Sequence, residues 1–160
     1  MRCVIQRVSS ASVSVRGEVI AEIGRGILLL AGCARSDTEE VFRWMARKVA
    51  NLRIFPPAPG EPGGHFEKSV MEIGGEILVV SQFTLFGDAR KGRRPSFSEA
   101  MPVEEAREAF PRFVKILREE SGVRVVTGRF QEMMDVKLTN EGPVTIILDR
   151  PEKTMEGAKR

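Results

Sequence analysis

Residues 12–33 read SVSVRGEVIAEIGRGILLLAGC. In Ser12–Val15 polar and apolar residues alternate, the pattern of a strand with one buried face. Arg16-Gly17 offers a tight turn, Val19–Ile23 a second strand, and Gly24-Arg25-Gly26 another turn before the apolar run Ile27–Cys33. Then the period changes. Ser36-Asp37-Thr38-Glu39 fits a capping box, in which Ser36 and Glu39 satisfy the first free amides of a helix. Val41, Trp44, Met45, Val49 and Leu52 follow at helical spacing, so this helix should lay that face on the sheet.

Further along, 56–64 (PPAPGEPGG) is a proline- and glycine-rich stretch expected to form an exposed loop. Val70–Ile73 and Glu76–Val80 read as two strands joined by a Gly74-Gly75 hairpin turn, the second running on into SQFTLF. Pro102 suits the first turn of a second helix, with Val103, Ala106, Phe110, Phe113, Val114 and Leu117 on its buried side. Pro111 falls inside that pattern and should kink or break it. Val123–Thr127, Met133–Leu138 and Val144–Leu148 are three more strand-like stretches. Strands, helix, strands, helix, strands predict an α+β protein: one domain over residues 1–149, with a curved, mainly antiparallel, barrel-like sheet flanked by two helices. Residues 150–160 form a polar tail without periodicity, expected to be disordered or loosely packed.

The 160 residues are 42% hydrophobic and 29% charged, the balance of a soluble globular chain. No apolar run approaches the ~18 residues of a membrane span. The opening MRCVIQRVSS has arginines inside its apolar stretch and no signal-peptide core, so secretion is not expected. Two cysteines, Cys3 and Cys33, are too few for a disulfide framework, and a reduced cytosolic setting follows. With one histidine, His65, they cannot build a tetrahedral Cys/His zinc site. A Ser-His-Asp relay would need His65, which adjoins the 56–64 loop where a base is poorly held. The chemistry is therefore expected to need no metal, no cofactor and no side-chain proton relay.

Three segments carry chemical character. Asp88–Arg94 reads DARKGRR, a local charge of +3 equal to the excess of the whole chain. Arg90, Lys91, Arg93 and Arg94 suit a phosphate-rich partner, and equally a solvated loop. Ser81-Gln82-Phe83-Thr84-Leu85 places polar residues where the apolar strand ILVV emerges, well placed to meet a ligand; the plainer alternative is a polar strand end with Phe83 in the core. Asn140–Thr145, NEGPVT, reads as a turn between strands whose Gly-Pro pair can hold an unusual backbone geometry, a cis peptide included.

Together with IQRVSSASVSV (5–15), GRRPSF (92–97) and TGRF (127–130), SQFTL and NEGPVT resemble the D-aminoacyl-tRNA deacylase family, in its homodimeric, barrel-like branch. The resemblance runs in order from Met1 to about Leu148, and SQFTL favours the chirally strict deacylases over their relaxed relatives. It implies hydrolysis of the ester joining a D-amino acid, or glycine, to the 3′-terminal adenosine of tRNA, with L-aminoacyl-tRNA spared. It also implies that Ser81, Gln82, Phe83 and Thr84 line the site, with backbone amides and Gln82 near the aminoacyl group. Gly142-Pro143 would be cis and reach into the partner subunit's site, where its carbonyls occupy the space of an L side chain. Phe130 and Met134 would lie near the amino-acid pocket, core packing being the plainer role for each. Pro95, Ser96 and Phe97 would help hold the terminal adenosine, and Arg90, Lys91, Arg93 and Arg94 the acceptor-stem phosphates.

Neither Thr84 nor Ser81 has an evident base to activate it, so the hydrolytic step is expected to draw on the substrate's 2′-hydroxyl. Backbone amides around Phe83 would stabilise the oxyanion. The expected partners are D-aminoacyl-tRNA, glycyl-tRNA and a second copy of the chain, with no DNA and no membrane. Two rivals stand beside this reading: a non-catalytic RNA-binding module, and an esterase or amidase using Thr84 on small substrates.

Overall fold

The run Ile27–Ala31 is apolar without a break because its strand is covered on both faces. The computed structural model describes residues 1–150. Its strands are β1 (Arg2–Val15), β2 (Glu18–Ile23), β3 (Gly26–Gly32), β4 (Glu76–Ser81), β5 (Val125–Thr127) and β6 (Asp135–Asp149); its helices are α1 (Glu39–Asn51) and α2 (Val103–Ser121). Ile27, Leu29 and Ala31 of β3, with Ile77 and Val79 of β4, pack in a core shared with both helices. Leu28, Leu78 and Val80 point the other way, into the curved sheet, against Val8, Val13, Ala21 and Ile23. Strands buried on both faces lose the apolar–polar alternation that marks a half-exposed strand.

The sheet order is β2-β1-β3-β4-β5, with β6 on the other edge of β1. Pairings of β1 with β2, β3 and β6 are antiparallel. Those of β3 with β4 and of β4 with β5 are parallel. The sheet is thus mixed and nearly closed into a barrel, flanked by two helices in a single domain. Each parallel pairing is bridged by a helix, since parallel neighbours need a long crossover: α1 between β3 and β4, α2 between β4 and β5.

Several local expectations need correction. Val70–Ile73 is a turn and not a strand: Ser69 Oγ accepts from Glu72 N at 3.2 Å, Glu72 Oε2 from Ser69 N at 2.7 Å, and Gly75 N donates to Val70 O at 2.9 Å. Reciprocal Ser–Glu capping therefore occurs at 69–72 and not at 36–39. The cap of α1 is Thr38, whose hydroxyl accepts from Val41 N at 3.4 Å. Asp37 instead accepts from Ala34 N at 2.8 Å and pairs with the buried Met1 ammonium.

Pro102 caps α2 from just outside it, and the helix runs unbroken through Pro111, whose ring stands on the exposed face. Val103 is also exposed, while Phe110, Phe113, Val114 and Leu117 are buried as expected. The two strands assigned around NEGPVT are one, β6. Against β1 its register steps from Thr145 opposite Gln6 to Asn140 opposite Val8, so the segment between bulges out of the ladder without ending it. Finally, β1 begins at Arg2, ten residues before the alternation at Ser12. Arg16 (φ 51°) and Gly17 (φ 84°) form the turn to β2. The tail expected over 150–160 lies outside the described residues except for Arg150, whose amide donates to Met1 O at 3.0 Å and whose guanidinium pairs with Glu40 at 2.8 Å.

Candidate active site

Where β4 leaves the barrel, the chain makes a short 3₁₀ turn, Phe83–Phe86. Gln82 N still donates to Ala31 O at 2.9 Å, so the ladder holds the polypeptide up to the turn itself. Gly32 makes the approach feasible: a Cβ there would stand 2.9 Å from Gln82 O and 3.1 Å from the Phe86 ring. Arg2 secures the far end, with Nη1 donating to Leu85 O at 2.9 Å and Cζ 5.3 Å from the Phe86 ring centroid. The turn is therefore braced from both sides.

Its inner side opens on a cavity of about 600 Å³. Ser81, Gln82, Phe83 and Thr84 line it together with Phe130 and Met134, so six residues singled out from the SQFTL and TGRF motifs and one further position meet in one place. Most of the remaining wall is apolar: Cys33, Val80, Met101, Val103, Ala106, Met133 and Val136. Phe83 is 55% exposed and so does not belong to the core. Gln82 Nε2 donates to Thr84 Oγ1, which ties the two polar side chains of the turn together. An amide donor cannot act as a base, so the Thr84 hydroxyl is oriented but not activated. Desolvation pushes the Cys33 thiol on the same wall up to about 12, which leaves it protonated and a poor nucleophile at neutral pH. Burial raises Cys3 further still, with Cys33 adding to the effect. His65 is exposed, and among the described residues no three His, Cys, Asp or Glu side chains stand together as a metal cage.

The other predicted residues lie around this cavity. Phe97 meets Phe83 edge-on, ring centroids 5.1 Å apart, and so joins the turn from outside the cavity wall. Pro95 and Ser96 are exposed, on a loop closed by Asp88 and Ser96 exchanging backbone hydrogen bonds of 2.8 and 2.9 Å. Arg90, Lys91, Arg93 and Arg94 are exposed on that loop. Arg90 is bound by Asp88 at 2.7 and 2.8 Å, which holds the Asp88 carboxyl well below the usual carboxylate range and leaves Lys91, Arg93 and Arg94 without an ion pair among the described residues.

Gly142 and Pro143 are exposed, joined by a cis peptide, and absent from the cavity wall of their own chain. Their bulge is pinned from within. Asn140 Oδ1 accepts from Val144 N at 2.7 Å, and its Nδ2 donates to Val144 O at 3.1 Å. Arg7, nearly buried, donates from Nε to Glu141 O at 2.8 Å and from Nη1 to Ile54 O at 2.6 Å. Sequence reasoning missed Arg7, although an arginine inside an apolar strand was the available signal: a buried guanidinium needs buried acceptors. It also missed Cys33, Met101 and Gln131, which only the tertiary fold brings to the cavity.

A single-domain α+β protein with this barrel and this cavity has known relatives. The family model for D-Tyr-tRNA(Tyr) deacylase matches residues 4–149. A D-aminoacyl-tRNA deacylase of Chlorobaculum parvum is 55% identical over 153 residues, 96% of this chain and the whole of that protein. One of Rippkaea orientalis is 51% identical over 150 residues, 94% of this chain and again the whole relative. Among solved structures, the c-Myc DNA unwinding element binding protein superposes with a TM-score of 0.86 at 44% identity, covering 95% of this chain and all of that one. A probable eukaryotic D-amino acid tRNA deacylase superposes with a TM-score of 0.79 at 21% identity, over 93% and 98% of the two chains, a likeness of fold. The chain belongs to the D-Tyr-tRNA(Tyr) deacylase family. It is an enzyme, an ester hydrolase of the deacylase class.

Proposed function

We propose that this protein hydrolyses the ester of D-aminoacyl-tRNA and of glycyl-tRNA while leaving L-aminoacyl-tRNA intact, as a proofreader of translation in the cytosol. The observation that carries the reading is the braced Ser81–Leu85 turn opening on a cavity without an activated nucleophile. Such a site suits a substrate that brings its own assistance. The ribose 2′-hydroxyl adjoins the ester, and an intramolecular group so placed can reach effective molarities of roughly 10⁵–10⁸ M. The amides of Phe83 and Thr84 open the 3₁₀ turn, where the first N–H groups have no acceptor within the turn. They are available to a developing oxyanion.

Chirality is assigned to Gly142 and Pro143. They are exposed, rigidly backed by Arg7 and Asn140, and away from the cavity of their own chain, which supports a role in the site of a second copy. Rigid backbone that fills the space of an L side chain rejects by collision, and glycine escapes because it has nothing to collide. The active unit is then a two-fold homodimer with two equivalent sites. Lys91, Arg93 and Arg94, with Arg90, are assigned to acceptor-stem phosphates, and Pro95, Ser96 and Phe97 to the terminal adenosine beside Phe83.

The test compares hydrolysis of D-Tyr-tRNA, L-Tyr-tRNA and Gly-tRNA by the purified protein under chelation. Loss of the D and glycyl esters with the L ester intact is expected. Turnover of none of them, with tRNA still bound, would leave an RNA-binding protein built on the same fold. Activity on esters lacking a 2′-hydroxyl would point to Thr84 as nucleophile.

A further inference from the structure

Phe130 forms one wall of the cavity, but what holds Phe130 lies outside it. Arg107, on α2, does not line the cavity and is 53% exposed. Its guanidinium sits over the Phe130 ring, Cζ 5.9 Å from the centroid, and Nη2 donates to Gln131 Oε1. Glu104, three residues earlier on the helix, steers it from 3.6 Å. Phe110, three residues later, stacks on the same ring with centroids 6.2 Å apart and planes at 30°. One face of α2 thus grips two consecutive residues of the 130–134 segment, and all five residues of that segment line the cavity.

The grip matters because the segment's own hold is slight: one backbone bond, Glu132 N donating to Arg129 O at 3.4 Å, closes the turn that carries Phe130 and Gln131. Gln131 has φ 62°, in the left-handed region that a residue with a side chain adopts only when its surroundings impose it. The hydrogen bond from Arg107 falls on that same side chain. We propose that Arg107 is a positioning residue: acting through Phe130 and Gln131, it fixes the wall of the cavity against which the esterified 3′ end must pack, and so sets substrate affinity and not the chemical step. This rests on the deacylase reading above.

A cation over an aromatic ring at an exposed site, with one charged hydrogen bond, leads us to expect Arg107→Ala to raise KM for D-Tyr-tRNA roughly three- to tenfold. The same change should leave kcat within about twofold, the mark of binding lost equally from ground and transition states. Arg107→Lys, which keeps a cation over the ring and a donor for Gln131, should recover most of the loss. In a Phe130→Ala background the effect of Arg107→Ala on KM should be smaller than in wild type, because only the Gln131 contact is left to lose and residues that act as a unit are not additive.

Salt separates this role from direct contact with RNA. If Arg107 only positions Phe130, the dependence of log KM on log salt keeps its slope in Arg107→Ala. A slope reduced by about 0.7–0.9, one phosphate's worth of counterions, would overturn the proposal in favour of a phosphate contact. So would an Arg107→Ala effect that is undiminished in the Phe130→Ala background, or a KM equal to that of active wild type. A wild type that turns over no aminoacyl ester is a different result, since it removes the deacylase reading itself.

Discussion

At the residue scale, the Gln82–Thr84 pair and the Cys33 thiol of the cavity wall are arranged to hold position and not to move protons. Thr84 accepts a hydrogen bond from the Gln82 amide, and the Cys33 thiol beside them stays protonated. Thr84→Ala should therefore keep its single-turnover deacylation rate within about tenfold of wild type; a loss of several orders of magnitude would restore a nucleophilic threonine. The thiols carry a second expectation. In the unfolded chain Cys3 and Cys33 ionise near the ordinary thiol value, whereas folded Cys33 holds its proton to about 12 and Cys3 beyond that. Between pH 9 and 12, on the order of those values, the unfolded state binds fewer protons than the folded one, so stability falls as pH rises. Each thiol should contribute roughly 1.4 kcal/mol per pH unit to that fall, and none below pH ~8. Urea unfolding at stepped pH, beside the Cys3→Ala/Cys33→Ala variant, measures it. The variant should show the shallower slope, and equal slopes would count against buried protonated thiols.

At the scale of elements, α2 shows how context overrides a local rule. Pro111 lacks the N–H that a helix interior uses, yet α2 continues because the ring and the carbonyl it leaves free are on the solvent side. Replacing it with alanine restores a donor and a better helix former at no packing cost. Pro111→Ala should stabilise the protein by roughly 1–3 kcal/mol, less the unfolded-state entropy that proline removes. A raised urea midpoint with an unchanged slope would bear this out, and a lowered one would show that α2 depends on the proline. Other elements were legible to different degrees for similar reasons. The β1–β2 turn was readable because Arg16-Gly17 is a local signal, and the buried faces of both helices because they repeat at 3.6 residues. The start of β1 was hidden by Arg7, which points inward to carbonyls supplied by residues distant in sequence. The S-x-x-E pattern occurs at both 36–39 and 69–72, and only the fold selects the second, because Asp37 is drawn off to the N-terminus. Residues of the site were legible as motifs, but their meeting in one cavity was not, since no periodicity encodes the approach of Phe130 to Ser81.

At the scale of the whole molecule, the sheet is unfinished along β6. One edge pairs with β1 over most of its length, and among the described residues no strand covers the other. Ile147 is 67% exposed on this strand, Leu138 is exposed with it, and Met133 stands 88% exposed just before it. A long uncovered edge with apolar side chains invites a second chain, and a homodimer in solution would satisfy it. If that dimer also delivers Gly142 and Pro143 into the neighbouring cavity, mixed subunits will reveal it. In Gly142→Ala the new Cβ would stand 2.9 Å from Val144 Cγ2 and 3.0 Å from Arg7 Nη2, at a φ of 136°, so the bulge must shift and L-Tyr-tRNA hydrolysis should appear. Phe83→Pro removes one of the two amides proposed above for the oxyanion, at the first position of a turn, where proline is tolerated, and should silence its own cavity. With Phe83→Pro protomers in excess, nearly every active cavity belongs to a Gly142→Ala chain but faces an intact bulge from its partner. L-ester hydrolysis should then fade while D-ester hydrolysis persists. Were the bulge to act on the cavity of its own chain, added Phe83→Pro protomer would leave L-ester hydrolysis where it was, and the site would have to be complete within one subunit.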